Sequence, residues 1–197
     1  SLVGSEMCIR DRQSTSCREK EVINMAIKAK TLLANRKNYG NKRSLSTIRY
    51  IVIHYTANDG DHDENNANYF SKNVVKASAH YFVDDDSYTK SVPLSYVAWS
   101  VGGKKYPNCS KTGGGKYYGK CTNANSINIE LCDTVKDGKI MASKQTAANA
   151  LALTKKLMKK YGIDKAHVIR YFDVTGKPCP AYWVDDAKWK KEFWNKL

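Results

Sequence analysis

The apolar positions along the chain repeat with two different periods. Arg49 to Thr56 (RYIVIHYT) is a β-branched and aromatic run, as a buried central strand requires. Ser126 to Cys132 (SINIELC) alternates: Ile127, Ile129 and Leu131 fall on one face, Asn128 and Glu130 on the other. Val168 to Phe172 predicts a further strand. Ala79–Val83 and Tyr88–Val92 predict two short ones, joined in a hairpin by the turn residues Asp84 to Ser87. Helical spacing is clearest over 143–161, where Ala147, Leu151, Thr154, Met158 and Tyr161 recur every three to four residues before Gly162. Residues 64–73 predict a short helix, and Lys188 to Trp194 an aromatic C-terminal one. The alternation of strands and helices predicts an α/β domain.

The first 24 residues do not share this patterning. SLVGSEMCIRDRQSTSCREKEVIN has no clear period and lacks the apolar run of a secretory signal peptide. Lys20 to Val22 can be encoded by a ribosome-binding sequence just ahead of Met25. The expectation is a start at Met25, with 1–24 a non-native or disordered leader and 25–197 the domain. The leader's basic residues (Arg10, Arg12, Arg18, Lys20) cancel its acidic ones (Glu6, Asp11, Glu19, Glu21), so the formal charge of +14 belongs to the domain.

A length of 197 residues fits one domain and is cramped for a TIM barrel or a two-domain dehydrogenase. No apolar run approaches the roughly 18 residues of a membrane span. So basic a surface is drawn to polyanions: nucleic acid, an anionic membrane face or an anionic cell wall. Nucleic acid is disfavoured, because no recognition module or arginine-rich helix accompanies the charge.

The cysteines differ in setting. Cys8 and Cys17 lie in the leader. Cys109 and Cys121 bracket the Gly-rich segment YPNCSKTGGGKYYGKC, which reads as a surface loop, and either close a disulfide or stand as free surface thiols. Cys132, in a strand, reads as a buried apolar residue. Cys179 sits between Pro178 and Pro180, which hold the loop extended and are expected to expose the thiol locally, as suits a ligand or a reactive thiolate.

A hydrolytic zinc site needs three protein ligands and an open position for water. It also needs a carboxylate as base and a cation for the developing oxyanion. His54 at a strand end, Cys179, Glu130 and Lys177 supply most of this set. Singly, each has a plainer reading: a strand histidine is usually a satisfied core residue, and a strand glutamate or loop lysine usually faces solvent. His62 and His80 carry the same plain reading.

The strings IVIHYT, ASAHYFVDDD, NSINIELC and RYFDVTGKPCPAYW occur in this order. Together they resemble zinc-dependent N-acetylmuramoyl-L-alanine amidases of the phage-lysozyme and peptidoglycan-recognition-protein type. The resemblance covers essentially all of 47–197, and the DVTGK-x-CP loop is its most specific part. It implies a single domain with a mixed central β-sheet flanked by helices, and a groove for glycan-peptide strands. The implied activity is cleavage of the amide between N-acetylmuramic acid and L-alanine, as an endolysin or autolysin at the cell wall or outside the cell. Zinc is implied as cofactor, with His54 its first ligand and Cys179 its last, Glu130 the general base and Lys177 the oxyanion-stabilising cation.

One position departs from the family. The middle ligand should be a histidine eight residues before the cysteine, and here Tyr171 stands there. Three readings stay open. Tyr171 ligates as a phenolate, its ordinary pKa of about 10 pulled down by the metal. Alternatively His80 substitutes, since His167 is about 13 Å away along the strand. Or zinc is held weakly and the chain is a catalytically impaired peptidoglycan-binding protein. The basic charge then serves attraction to anionic wall polymers, and the expected partners include neither nucleic acid nor membrane; a monomer is expected.

Overall fold

The computed structural model describes residues 27–197, so the leader expected at 1–24 lies outside the described residues. The chain forms β1 (Lys28–Thr31), β2 (Tyr39–Lys42), β3 (Tyr50–Tyr55), α1 (Asp63–Lys72), β4 (Tyr81–Val83), β5 (Ser87–Lys90) and β6 (Tyr96–Ala98). There follow α2 (Cys109–Thr112), β7 (Ser126–Leu131), β8 (Thr134–Lys136), β9 (Lys139–Met141), α3 (Lys144–Tyr161), β10 (Val168–Arg170), α4 (Tyr171–Thr175) and α5 (Asp186–Glu192). Six strands make a mixed sheet in the order β1-β5-β4-β7-β3-β10, in which only the β4–β5 pair is antiparallel. The pairs β2–β6 and β8–β9 are small antiparallel ribbons beside it.

The two central strands set the layers. Ile51 and Ile53 of β3 and Ile127, Ile129 and Leu131 of β7 join Ala150, Leu153 and Leu157 of α3 in one core, closed by Trp183, Trp189 and Phe193. Burying each large aliphatic side chain is worth about 1.5–3 kcal/mol. A one-residue slip would turn all of these out and drive His54 and Glu130 in, so register is strongly specified. The opposite face carries Val52 and His54 on β3, and Ser126, Asn128 and Glu130 on β7. Parallel pairing in register sets His54 opposite Glu130. Both stand at the carboxyl ends of their strands, where open α/β sheets hold their sites.

The long helix ends as its sequence predicts. Ser143 Oγ accepts the Thr146 N–H at 2.9 Å, and Gly162 adopts the left-handed φ of 63° that stops α3. The strand expected over Val168 to Phe172 is shorter and needs correction. Asp173 turns back to accept the Arg170 N–H at 2.8 Å and its guanidinium at 2.7 and 2.9 Å. This cap ends β10 at Arg170 and starts α4 at Tyr171.

The Gly-rich segment is also more than a surface loop. Its backbone lies along α4: Tyr106 N–H donates to Thr175 O (2.8 Å), Gly115 N–H to Phe172 O (3.0 Å) and Tyr117 N–H to Asp173 O (2.8 Å). A Cβ on Gly114 would stand 2.7 Å from the Gly176 Cα, so the close approach requires glycine. Among the described residues Cys109 and Cys121 form no disulfide with each other or with another cysteine, and both are buried rather than surface thiols; Cys132 is buried as expected. β1 has no counterpart in the pattern of the sequence. It is a mostly exposed edge strand, and its lysines suit an edge that must not recruit a further strand.

Candidate active site

His54 is buried, and its Nε2 lies 3.0 Å from Asn128 Oδ1. An amide oxygen can only accept, so Nε2 carries the ring proton and Nδ1 keeps its lone pair. That lone pair looks toward Cys179 Sγ at 4.0 Å and Glu130 Oε1 at 3.8 Å. Burial, with help from the Lys177 charge and against the Asn128 bond, pulls the His54 pKa down to about 4. The ring is neutral at neutral pH.

The expected local exposure of Cys179 is corrected: the residue is only 4% exposed. Phe172 N–H donates to the Cys179 carbonyl at 2.9 Å, which folds the loop beneath α4 and turns the thiol inward. Burial and then Glu130 push its pKa up, opposed by a Tyr55 backbone bond and Lys177.

Tyr171 stands beside His54, with ring centroids 4.9 Å apart. Its hydroxyl donates to Gly102 O at 2.6 Å, and burial holds the phenol above its ordinary pKa. The proton is therefore retained, contrary to what a phenolate ligand needs.

Glu130 is half-buried, and its Oε2 has no hydrogen-bond partner among the described residues. Burial first, then Asp133 and Asp61, raise its pKa to about 8 against the pull of Lys177. Glu130 and the exposed Lys177 both line a cleft of about 700 Å³, shared with Tyr55, Thr56, Tyr69 and Trp99. Asp133 beside them is buried and raised to about 7, while accepting the Tyr182 hydroxyl at 3.1 Å and Ala57 N–H at 3.0 Å.

His80 is buried and occupied elsewhere. Its Nδ1 accepts the Asn128 N–H at 3.1 Å, and its Nε2 lies 3.2 Å from Tyr96 O. Neither nitrogen is left for a cation. His167 is at the surface, 2.7 Å from Asp164. Of the residues singled out from the sequence, His54, Glu130, Cys179 and Tyr171 converge, Lys177 lines the adjoining cleft, and His80 does not join them. Asn128, Thr56 and Gly102 are neighbours the sequence reading passed over. Only Asn128 left a signal, since the strict alternation of β7 puts it on the face of Glu130.

The family of N-acetylmuramoyl-L-alanine amidases matches residues 44–182, which include His54, Glu130, Tyr171, Lys177 and Cys179. The chain belongs to this family. Amidase CwlL of Bacillus licheniformis is 34% identical over 158 residues, 78% of this chain and 41% of that protein. Amidase BlyA of Bacillus subtilis is 33% identical over 159 residues, 78% of this chain and 42% of that one. The chain thus spans about two fifths of the length of these curated relatives.

Solved structures are covered far more fully by this amidase-family chain. A mutant endolysin from Bacillus subtilis superposes with a TM-score of 0.65 at 26% identity, covering 85% of this chain and 97% of that one. The catalytic domain of XlyA gives 0.64 at 26% identity, covering 84% and 97%. The mixed sheet and helices are therefore those of amidase catalytic domains, as the sequence motifs imply. Amidases of this type are generally zinc-dependent.

Proposed function

We propose that this domain hydrolyses peptidoglycan at the amide joining the lactyl group of N-acetylmuramic acid to L-alanine. One observation carries the reading: the His54 Nδ1 lone pair, the buried Cys179 thiol and the Glu130 carboxyl meet at one strand end beside an open cleft.

Two of the three family positions fit zinc as they stand. Neutral imidazole and cysteine sulfur are ordinary zinc donors. The third, Tyr171, does not fit while its hydroxyl donates to Gly102. His54 and Cys179 are therefore the residues that would hold the ion. The chemistry zinc supplies at such a site is an acidified water and a polarised carbonyl.

The chain's own groups do the rest. Glu130 takes the proton of the attacking water and returns it to the alanine nitrogen as the C–N bond breaks. One positioned carboxyl group can do both, as base and then as acid. Lys177 lends its charge to the oxyanion that the carbonyl oxygen becomes.

Purified cell walls test this directly. The protein should release new amino termini from them, a chelator should stop the release, and added zinc should restore it. Zinc-loaded protein that releases none from walls another amidase opens would refute the activity.

The formal charge of +14 supports a second element of the proposal, attraction to anionic wall polymers. Screening shortens from about 10 Å at 0.1 M salt to about 3 Å at 1 M, so wall binding should weaken steeply across that range. Binding that is equal at both salts removes charge from the account.

A further inference from the structure

We propose that Asn128 is a positioning residue: its side-chain oxygen fixes which nitrogen of His54 carries the proton, and so aims Nδ1 at Cys179 as a metal donor. This rests on the zinc reading above. The orientation of the amide follows from its neighbours. Ser126 Oγ gives its proton to Thr122 O at 2.7 Å and is left as an acceptor. Asn128 Nδ2 donates to that oxygen at 3.2 Å, which leaves Oδ1 facing His54 Nε2 at 3.0 Å. A flipped amide would set Oδ1 against the Ser126 oxygen, whose proton is already given to Thr122 O.

The residue is held at its backbone as well. Asn128 N–H donates to His80 Nδ1, and His80 N–H donates to the Asn128 carbonyl, each at 3.1 Å. Arg43 lies behind, its Nη2 3.0 Å from the His80 ring and its Nη1 donating to Ser126 O at 2.7 Å. Asn128 is fully buried, so no water competes for Oδ1. Without that oxygen, a ring proton on Nε2 would be buried with no acceptor, and it would move to Nδ1. The metal would lose the lone pair it needs. A neutral amide does this work without adding a second negative charge beside Glu130.

The test is made on the full chain. Long-range proton–nitrogen spectra of metal-free protein labelled in histidine show which ring nitrogen is protonated, and chelator competition gives the zinc affinity. Wild type should show His54 protonated on Nε2. Asn128→Leu should shift the proton and weaken zinc by about 10–100-fold, the usual effect of losing a histidine's supporting partner. Asn128→Asp keeps an acceptor, so it should keep the tautomer and most of the affinity.

Wild type protonated on Nδ1 overturns the proposal. So does a folded Asn128→Leu variant whose zinc affinity stays within about twofold, or an Asp variant that loses as much as Leu. If the Leu variant does not fold, the wild-type spectrum and the Asp variant decide. Walls left uncut while Asn128 behaves as stated would sink the amidase reading and leave this one standing.

Discussion

Tyr171→His is expected to raise zinc affinity at neutral pH by up to about a thousandfold. A phenol titrates near 10, about three units above neutrality, and each unit of deprotonation forfeits a factor of ten in apparent affinity. Burial lifts the Tyr171 phenol further, and its proton is engaged by Gly102 O at 2.6 Å. Imidazole needs no deprotonation to bind and is shorter, so it relinquishes that carbonyl. Wall hydrolysis should rise with zinc occupancy if Glu130 and Lys177 act as proposed. Zinc titrations of parent and variant against a competing chelator decide the matter. Equal affinities would mean that position 171 belongs to no metal site.

Glu130→Gln should cut the rate of wall hydrolysis by about 10²–10⁴-fold, the usual worth of a positioned acid–base group. Its fold should be untouched for a structural reason. Glu130 Oε2 has no partner among the described residues, and burial already disfavours the charge, so a neutral isostere breaks none of their hydrogen bonds at that atom. Thermal unfolding and zinc content should match the parent while the release of amino termini collapses. An undiminished rate in a zinc-loaded Gln variant would remove Glu130 from the chemistry.

The middle of the sheet is legible because burial shows as alternation. Ile127, Ile129 and Leu131 must face α3, so Asn128 and Glu130 must face away, and His54 follows through the pairing of β3 with β7. Five residues of α4 leave no such trace. Tyr171 and Phe172 look like the end of the strand, and the Asp173 cap on Arg170, a contact that periodicity does not weigh, starts a helix with them. Cys179 misleads differently. Flanking prolines constrain the backbone and say nothing about which way the side chain turns. The Gly-rich segment looked free for a similar reason, since glycines mark a loop equally when they let it press against Gly176. Nor does a four-residue, mostly exposed strand such as β1 stand out against a polar chain.

His54 and Cys179 are 125 residues apart in sequence and are brought together where β10 pairs with β3. Arg170, at the end of that strand, also grips the carbonyls of Trp183 at 2.7 Å and Val184 at 3.0 Å, tying the C-terminal segment to the same event. During synthesis, at about 5–20 residues per second, a ribosome-bound chain carries His54 for several seconds before its partner exists. Contacts so distant in sequence form late in folding. A stalled or prematurely terminated product therefore lacks Cys179, and with it one half of the ligand pair proposed above.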